Sequence, residues 1–306
     1  NELAWIQRGA RARGTKSKDR IARFEALENR EIPTESEKLQ MQSVSSRLGK
    51  KTELISNIGS DEAGRKILGF LSENAVSTDK VRILDTLTSA INIVLVDNDG
   101  ERYFLTNPES NLRKLALDDI IPSLENLGDV VSFAGMFISP LLGIGEMEKI
   151  FAEVKKQGKI LCVDMTKRKN GETISDIKPL LKYIDFIFPN EEEIALLTGI
   201  SDPVKNADIL IENGVKCAVI KLGKEGCIIR TKDKLIRVPA RNVKALDSTG
   251  AGDTFAAAFI CALLDGMDAE NCGKFACAAA SFTVETLGAT DGIISKKQVM
   301  KCYLEG

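Results

Sequence analysis

The chain of 306 residues is 43% hydrophobic, enough for one large domain or two small ones. Its 42 Lys and Arg against 44 Asp and Glu leave a net charge of −2, which argues against nucleic acid or a membrane surface as the main partner. There is no histidine, which excludes Ser-His-Asp and Cys-His catalysis, argues against a transition-metal site, and leaves acid–base work to carboxylates, Lys, Tyr or Cys.

The first 51 residues stand apart. They hold 12 Lys and Arg against 7 Asp and Glu, whereas the remainder holds 30 against 37. They carry no strand signal: Ile21, Phe24 and Leu27 recur at helical spacing and Pro33 breaks the run, so two helices are predicted, exposed or packed along one side. From Thr52 onward short β-rich runs alternate with amphipathic ones. "TELISNIG" reads as a strand, "DEAGRKILGFLSENA" as a helix, and "SAINIVLVDNDGERYFL" as a hairpin about a DNDG turn. "DVVSFAG", "KILCVDM", "DFIFPN" and "CAVIKLG" read as strands. Between them lie the helical patterns "GEMEKIFAEVKKQG", "DIKPLLKYI", "EEEIALLTG" and "VKNADILIENG". A second hairpin, "GCIIRTKDKLIRVPA", precedes helices from Ala251 to Cys302. This alternation predicts an α/β fold with a mainly parallel sheet covered on both faces, in which ligands bind beyond the carboxyl ends of the strands.

Seven cysteines sit mostly within apolar runs, form no CxxC pair and are odd in number. Buried, reduced thiols in a cytoplasmic protein are expected. No signal peptide is recognisable at the start, and no apolar run reaches the roughly 20 residues that span a bilayer.

The stretch "LDSTGAGDTFAAAFICALLDG", Leu246 to Gly266, places Gly250, Ala251 and Gly252 where a helix begins, with Asp253 in its first turn. Small residues let a ligand approach the backbone, and first-turn amides have no acceptor inside the helix, so the site suits an anion such as a phosphoryl group. A carboxylate there would repel a phosphate unless it had a task, such as taking a proton from an attacking hydroxyl. On this local pattern alone an ordinary N-cap, with Asp253 complementing the helix dipole, accounts for the residues equally well.

"DSTGAGDTFAAAFI" resembles, position by position, the C-terminal signature of the ribokinase-like (PfkB-type) carbohydrate kinases, and the resemblance extends over about residues 48–294. "SRLGKKTELISNIGSDEAG" is similar to the family's "LG…G.D..G" segment, with Gly49 and Gly59 at its glycines. The first hairpin, "DMTKR" (family "D.N.R"), "PNEEE" ("N..E") and "KLGKEG" ("LG..G") follow in family order. The resemblance implies a ribokinase-like three-layer α/β/α sandwich and ATP-dependent phosphorylation of a hydroxyl of a sugar or related small alcohol. It implies Asp253 as general base and Gly250, Ala251 and Gly252 as the anion hole. Asn190 and Glu193 would organise Mg²⁺, although acids in a helix's first turn are also what the dipole favours. Lys221, Gly223 and Gly226 would line the ATP site, where a plain turn is the alternative. Asp247 and Thr249 fall where relatives hold a monovalent cation such as K⁺, with capping an equal account. Ala279, on a helix that would wall the adenine, and Gly288 would complete the nucleotide site. Arg168 stands at the arginine of "D.N.R" and would meet substrate with Asp253, while Thr166 replaces the asparagine.

The resemblance stops at the N-terminal side. The family's opening strand, lid strands and "GG…N" loop are not recognisable, and "SEKLQ" stands where that loop belongs. Instead "ELAWIQRGARARGTKSKDRIARFEAL", continued by "SEKLQMQSVSSRLGKK", resembles the segment after the first cassette of ABC-F type ATPases. The two resemblances join at "SRLGKKTEL". The expected organisation is a basic helical segment over 1–48 and a kinase domain over 49–306 lacking its first strand and lid. Two other readings follow: a catalytically impaired nucleotide-binding protein with an incomplete acceptor site, or an RNA- or ribosome-interacting protein acting through the basic helices. The expected partners are a sugar or similar alcohol, with no membrane, nucleic acid disfavoured, and a homodimer left open because lid strands pair subunits in this family.

Overall fold

The computed structural model describes residues 52–96, 102–107, 109–289, 292–293 and 295–305. The predicted N-terminal helices, the ABC-F-like segment, Gly49 and the DNDG turn lie outside them. The chain divides at Lys50/Lys51, and every described residue falls in the second unit, Lys51–Gly306.

The described part opens with β1 (Thr52–Glu53), β2 (Ser56–Gly59) and α1 (Glu62–Glu73). β3 (Val76–Ser77) then pairs parallel with β1, and β4 (Val81–Leu84) with β2. Asp61 starts α1 by accepting the Gly64 amide at 2.8 Å, and also holds the Ser89 amide and hydroxyl. The predicted hairpin is β5 (Asn92–Val96) with β6 (Arg102–Thr106), antiparallel. Two four-residue helices follow, α2 (Asn111–Lys114) and α3 (Leu117–Ile120).

The main sheet is then built in order: β7 (Val130–Met136), α4 (Ile144–Lys156), β8 (Ile160–Met165), α5 (Ile174–Leu181), β9 (Phe186–Phe188) and α6 (Glu191–Thr198). After α7 (Pro203–Glu212) come β10 (Cys217–Lys221), β11 (Cys227–Thr231) and β12 (Leu235–Val238). α8 (Ala251–Leu264), α9 (Ala269–Val284) and α10 (Lys296–Glu305) close the chain. The strand order is β12-β11-β10-β9-β8-β7. β7 to β10 run parallel and β11 and β12 antiparallel to their neighbours. Among the described residues β7 pairs with β8 alone, and β2 with β4 alone.

Alternation along the strands creates the three layers. On β8, Leu161 and Val163 join the core formed with α4 to α7, where Met147, Ile150, Phe151, Ile177, Leu180 and Leu210 are buried. Cys162 turns to the opposite face, with Cys217, Val219, Cys227 and Ile229, against Phe255 and Phe259 of α8 and Phe275 of α9. The expected three-layer α/β/α order is therefore the observed one. Each fully buried Phe contributes about 1.5–3 kcal/mol relative to exposure, so these two layers carry most of the hydrophobic stabilisation. All seven cysteines are free thiols, and the five buried ones lie in the layer between the sheet and α8 and α9. No described helix is long and apolar enough to cross a membrane.

Candidate active site

Because β8, β9 and β10 are parallel, their carboxyl ends lie along one edge of the sheet. Asp164 shares the parity of Cys162, and Lys221 that of Cys217 and Val219, so both project toward the α8 face. The chain leaves β9 through Pro189 and enters α6 at Asn190. There the first turn of α8 meets the strand ends. The result is a cleft of about 410 Å³ lined by Ala134, Gly135 and Ile138 after β7, Asp164 to Thr166 on β8, Asn190 and Glu193 on α6, Lys221 and Gly223 after β10, and Gly252 and Asp253 on α8.

Local chemistry fixes each wall. Asn190 Oδ1 accepts the Glu193 amide at 2.8 Å, and Glu193 Oε2 accepts the Asn190 amide at 2.7 Å, a reciprocal cap that aims both side chains at the strand edge. Lys221 Nζ lies 2.8 Å from Asp164 Oδ1, and both side chains are largely buried. Burial pushes the Asp164 carboxyl above its usual range against the pull of Lys221, and the nearby Asp253 charge adds to the rise. Burial likewise raises Glu193, with the Asn190 amide and Lys221 opposing. Thr166 donates through its amide and hydroxyl to Met136 O, tying the ends of β7 and β8 together.

Gly250 caps α8 in the left-handed conformation (φ 77°), and a Cβ there would lie 2.7 Å from Ala289 O, so the turn requires glycine. Ala251 N donates to Ser248 O at 3.3 Å. Asp247 braces this turn: its Oδ1 accepts the Thr249 amide and hydroxyl, and its Oδ2 accepts the Gly288 amide at 3.1 Å. Exposed Asp253 follows in the helix's first turn, at the rim of the cleft.

Of the residues singled out in the sequence, Asn190, Glu193, Lys221, Gly223, Gly252 and Asp253 come together in the cleft. Gly250 and Ala251 begin the same helix, and Asp247, Thr249 and Gly288 form the brace behind it. Gly226 follows the Gly223 turn. Two residues stand elsewhere. Arg168 donates to the carbonyls of Gly171 and Glu172 in its own loop and does not line the cleft. Ala279 is fully enclosed in the core between sheet and helices and presents no surface to a ligand. Sequence reasoning passed over Asp164, the first position of "DMTKR", and Ile138, which follows the tight turn after β7. In that turn Gly135 (φ 79°) and Phe137 (φ 76°) are both left-handed and Ile138 N donates to Gly135 O. A shallower depression of about 500 Å³ on α10, between Lys296, Lys297, Met300, Lys301 and Leu304, has no carboxylate in its lining.

The chain is 32% identical over 249 residues to an uncharacterized sugar kinase of Archaeoglobus fulgidus, covering 81% of this chain and 97% of that one. It is 30% identical to a ribokinase of Arabidopsis thaliana over 267 residues, 82% of this chain and 66% of the relative's length. Among solved structures, Arabidopsis thaliana ribokinase complexed with ribose and ATP superposes with a TM-score of 0.71 at 26% identity, covering 85% of this chain and 84% of that one. Residues 42–296 match the pfkB family of carbohydrate kinases. The chain belongs to the pfkB family as a carbohydrate kinase.

Proposed function

We propose that this kinase transfers the γ-phosphoryl group of ATP to a hydroxyl of a sugar or similar small alcohol, with Asp253 as general base. One observation carries the reading: a carboxylate at the first turn of α8 shares a cleft with the Gly252 backbone, a lysine and the Asn190–Glu193 pair, beyond the carboxyl ends of parallel strands. The acceptor oxygen forms a bond to phosphorus as the bond from phosphorus to the ADP oxygen breaks. The acceptor's proton passes to Asp253, and ADP leaves with the electron pair of the broken bond. The N-terminus of α8, opened by Gly250, Ala251 and Gly252, turns the positive end of the helix dipole toward the charge on the moving group.

The donors present fit Mg²⁺. Asn190 and Glu193 offer hard oxygens, and among the described residues no three acidic, His or Cys side chains converge to hold a metal alone. Mg²⁺ prefers one or two protein carboxylates with water and phosphate oxygens. Asn190 and Glu193 would hold it, and bound there it neutralises phosphate charge. A monovalent cation such as K⁺ would sit by the Asp247–Thr249 turn. The ribose bound to the Arabidopsis relative makes a pentose the first acceptor to try.

ADP release from MgATP across a panel of sugars and nucleosides tests the reading. Acceptor-dependent release is expected, and Asp253→Asn is expected to lower it by about 10²–10⁴-fold while sparing ATP binding. Near wild-type turnover in that variant would remove Asp253 from the role of base. A second reading, a nucleotide-binding protein with an incomplete acceptor side, draws on β7 and β2 each having a single partner among the described residues. It expects ATP to raise Tm while no acceptor elicits ADP release.

A further inference from the structure

Asp164 has no part in the reaction as proposed so far, yet it holds the one cation among the residues that line the cleft. The pair spans the sheet. β8 and β10 flank β9, so their axes lie about 9–10 Å apart. Asp164 is level with Phe188 and Lys221 with Asn190, which sets Lys221 two residues further along the strand direction. Its side chain therefore leans back across the end of β9 instead of extending into solvent. The side chains of Lys221 and Asp164 are only 13% and 12% exposed. The same ammonium lies beside the start of α8, where a Cβ added to Gly252 would come within 3.3 Å of Lys221 Nζ. The charge is thus held by a carboxylate, next to the backbone that opens α8.

Two general facts give this arrangement its meaning. A buried ion pair is a poor source of stability, since apolar side chains of similar volume serve as well or better. A lysine side chain is flexible, and fixing it costs about 1.5–2 kcal/mol of rotamer entropy. A cation fixed in advance beside a helix N-terminus is instead what a growing negative charge requires, because the ordering is complete before the reaction begins.

We infer that Asp164 is a positioning residue for phosphoryl transfer: it holds the Lys221 ammonium against the Gly252 backbone, so that cation and first-turn amides face the same phosphoryl oxygens. The inference rests on the reading of the cleft as the phosphoryl-transfer site. Asp253 keeps its separate task at the acceptor proton, and Asp164 acts only through Lys221.

Steady-state kinetics of Asp164→Asn, Lys221→Met and the double variant test it, with Asp253→Asn alongside. Asp164→Asn is expected to lower kcat about 100-fold, the scale of one misplaced charge-stabilising donor, with the KM for ATP changed less than about threefold. Lys221→Met should lose a similar factor, and the double variant should fall no more than about twofold below Lys221→Met. Losses that multiply would overturn the inference. So would normal kcat in Lys221→Met beside an inactive Asp164→Asn, since that outcome gives Asp164 a task of its own. A merely structural role would lower Tm with kcat per folded molecule unchanged. The double variant leaves no lone buried charge, and wild-type turnover in it overturns the inference even if a single variant fails to fold.

Asp253→Asn separates the two failures. Turnover kept in that variant breaks the reading of the cleft; turnover lost there but kept in Asp164→Asn breaks the positioning role alone. Should no acceptor elicit turnover, slow transfer to water decides. MgATP hydrolysis lowered alike in Asp164→Asn and Lys221→Met supports the inference, and hydrolysis unchanged in either variant, or absent from the wild-type protein, overturns it.

Discussion

The residues from β7 to α9 and those from β1 to β6 are built on different principles. The first region is a continuous sheet buried on both faces, with Leu161, Cys162, Val163, Ala218, Val219 and Ile220 wholly enclosed. The second consists of two-stranded pairs, with Ile83, Ile91, Ile93 and Leu105 each more than half exposed. Its order depends on polar ties such as Asp61 to Ser89 and the Asn111 side chain to Asn57 O. Two-stranded units alone are marginal in water, whereas a covered sheet is not. The cleft grows entirely from the first region, so its geometry is set by packing. The hairpin region is free to open at lower cost.

Three substitutions probe that contrast. The largest effect is expected at Gly226, which adopts φ 94°, ψ −123° and whose added Cβ would lie 2.0 Å from Val238 O. Gly226→Val should destabilise the protein by about 3 kcal/mol or more in urea unfolding, from backbone strain and clash together. A loss under about 1 kcal/mol would mean that the β10–β11 turn is as pliant as the hairpin region.

Asp185, just before β9 at the amino ends of the strands, comes next. Burial pushes its carboxyl up, but the Leu161 amide at 2.7 Å, with Lys155 at 2.6 Å and Lys216 at 2.7 Å, outweighs burial and leaves it below the usual range. A folded-state value below the unfolded one gives stability that is complete above the unfolded value and is lost as pH falls through the folded one. Asp185→Asn should therefore cost about 2 kcal/mol at neutral pH, with the gap from wild type closing below about pH 4. A gap that stays constant through acid would show that the brace does not depend on charge.

The smallest effect is expected from Ile93→Lys in the hairpin, within about 0.5 kcal/mol by thermal unfolding. A greater loss would mean that this face is covered in solution, and light scattering would then show whether a second copy covers it.

Much of this architecture was legible in the residues, because both regular periods are strong where burial is strong. "KILCVDM" and "CAVIKLG" lie on central strands, and the patterns of α4 and α7 fall within two residues of the observed helices. The strands at Val76–Ser77 and Val81–Leu84 escaped notice because they are short and interrupted by polar residues. The helices at Asn111–Lys114 and Leu117–Ile120 are single turns, too short to show a period or to be stable alone. In the cleft, residues carried by contiguous motifs were readable: Asn190 with Glu193, Lys221 with Gly223, and Gly252 with Asp253. The Asp164–Lys221 pair was not, because its partners are 57 positions apart and meet only through the strand order β8-β9-β10. Ala279 shows the converse limit: a run of alanines marks close packing without saying which members face a ligand.

The thiols give the comparison a time axis. Cys162, Cys217, Cys227, Cys272 and Cys277 are sealed between the sheet and the last long helices, while Cys261 and Cys302 are partly accessible. A thiol reagent added to the folded protein would meet the two accessible sulfurs first and the other five only when the layer between sheet and helices parts. The protein thus carries its own clock of opening, in which the late phase of labelling reports how often the layer beside the cleft comes undone.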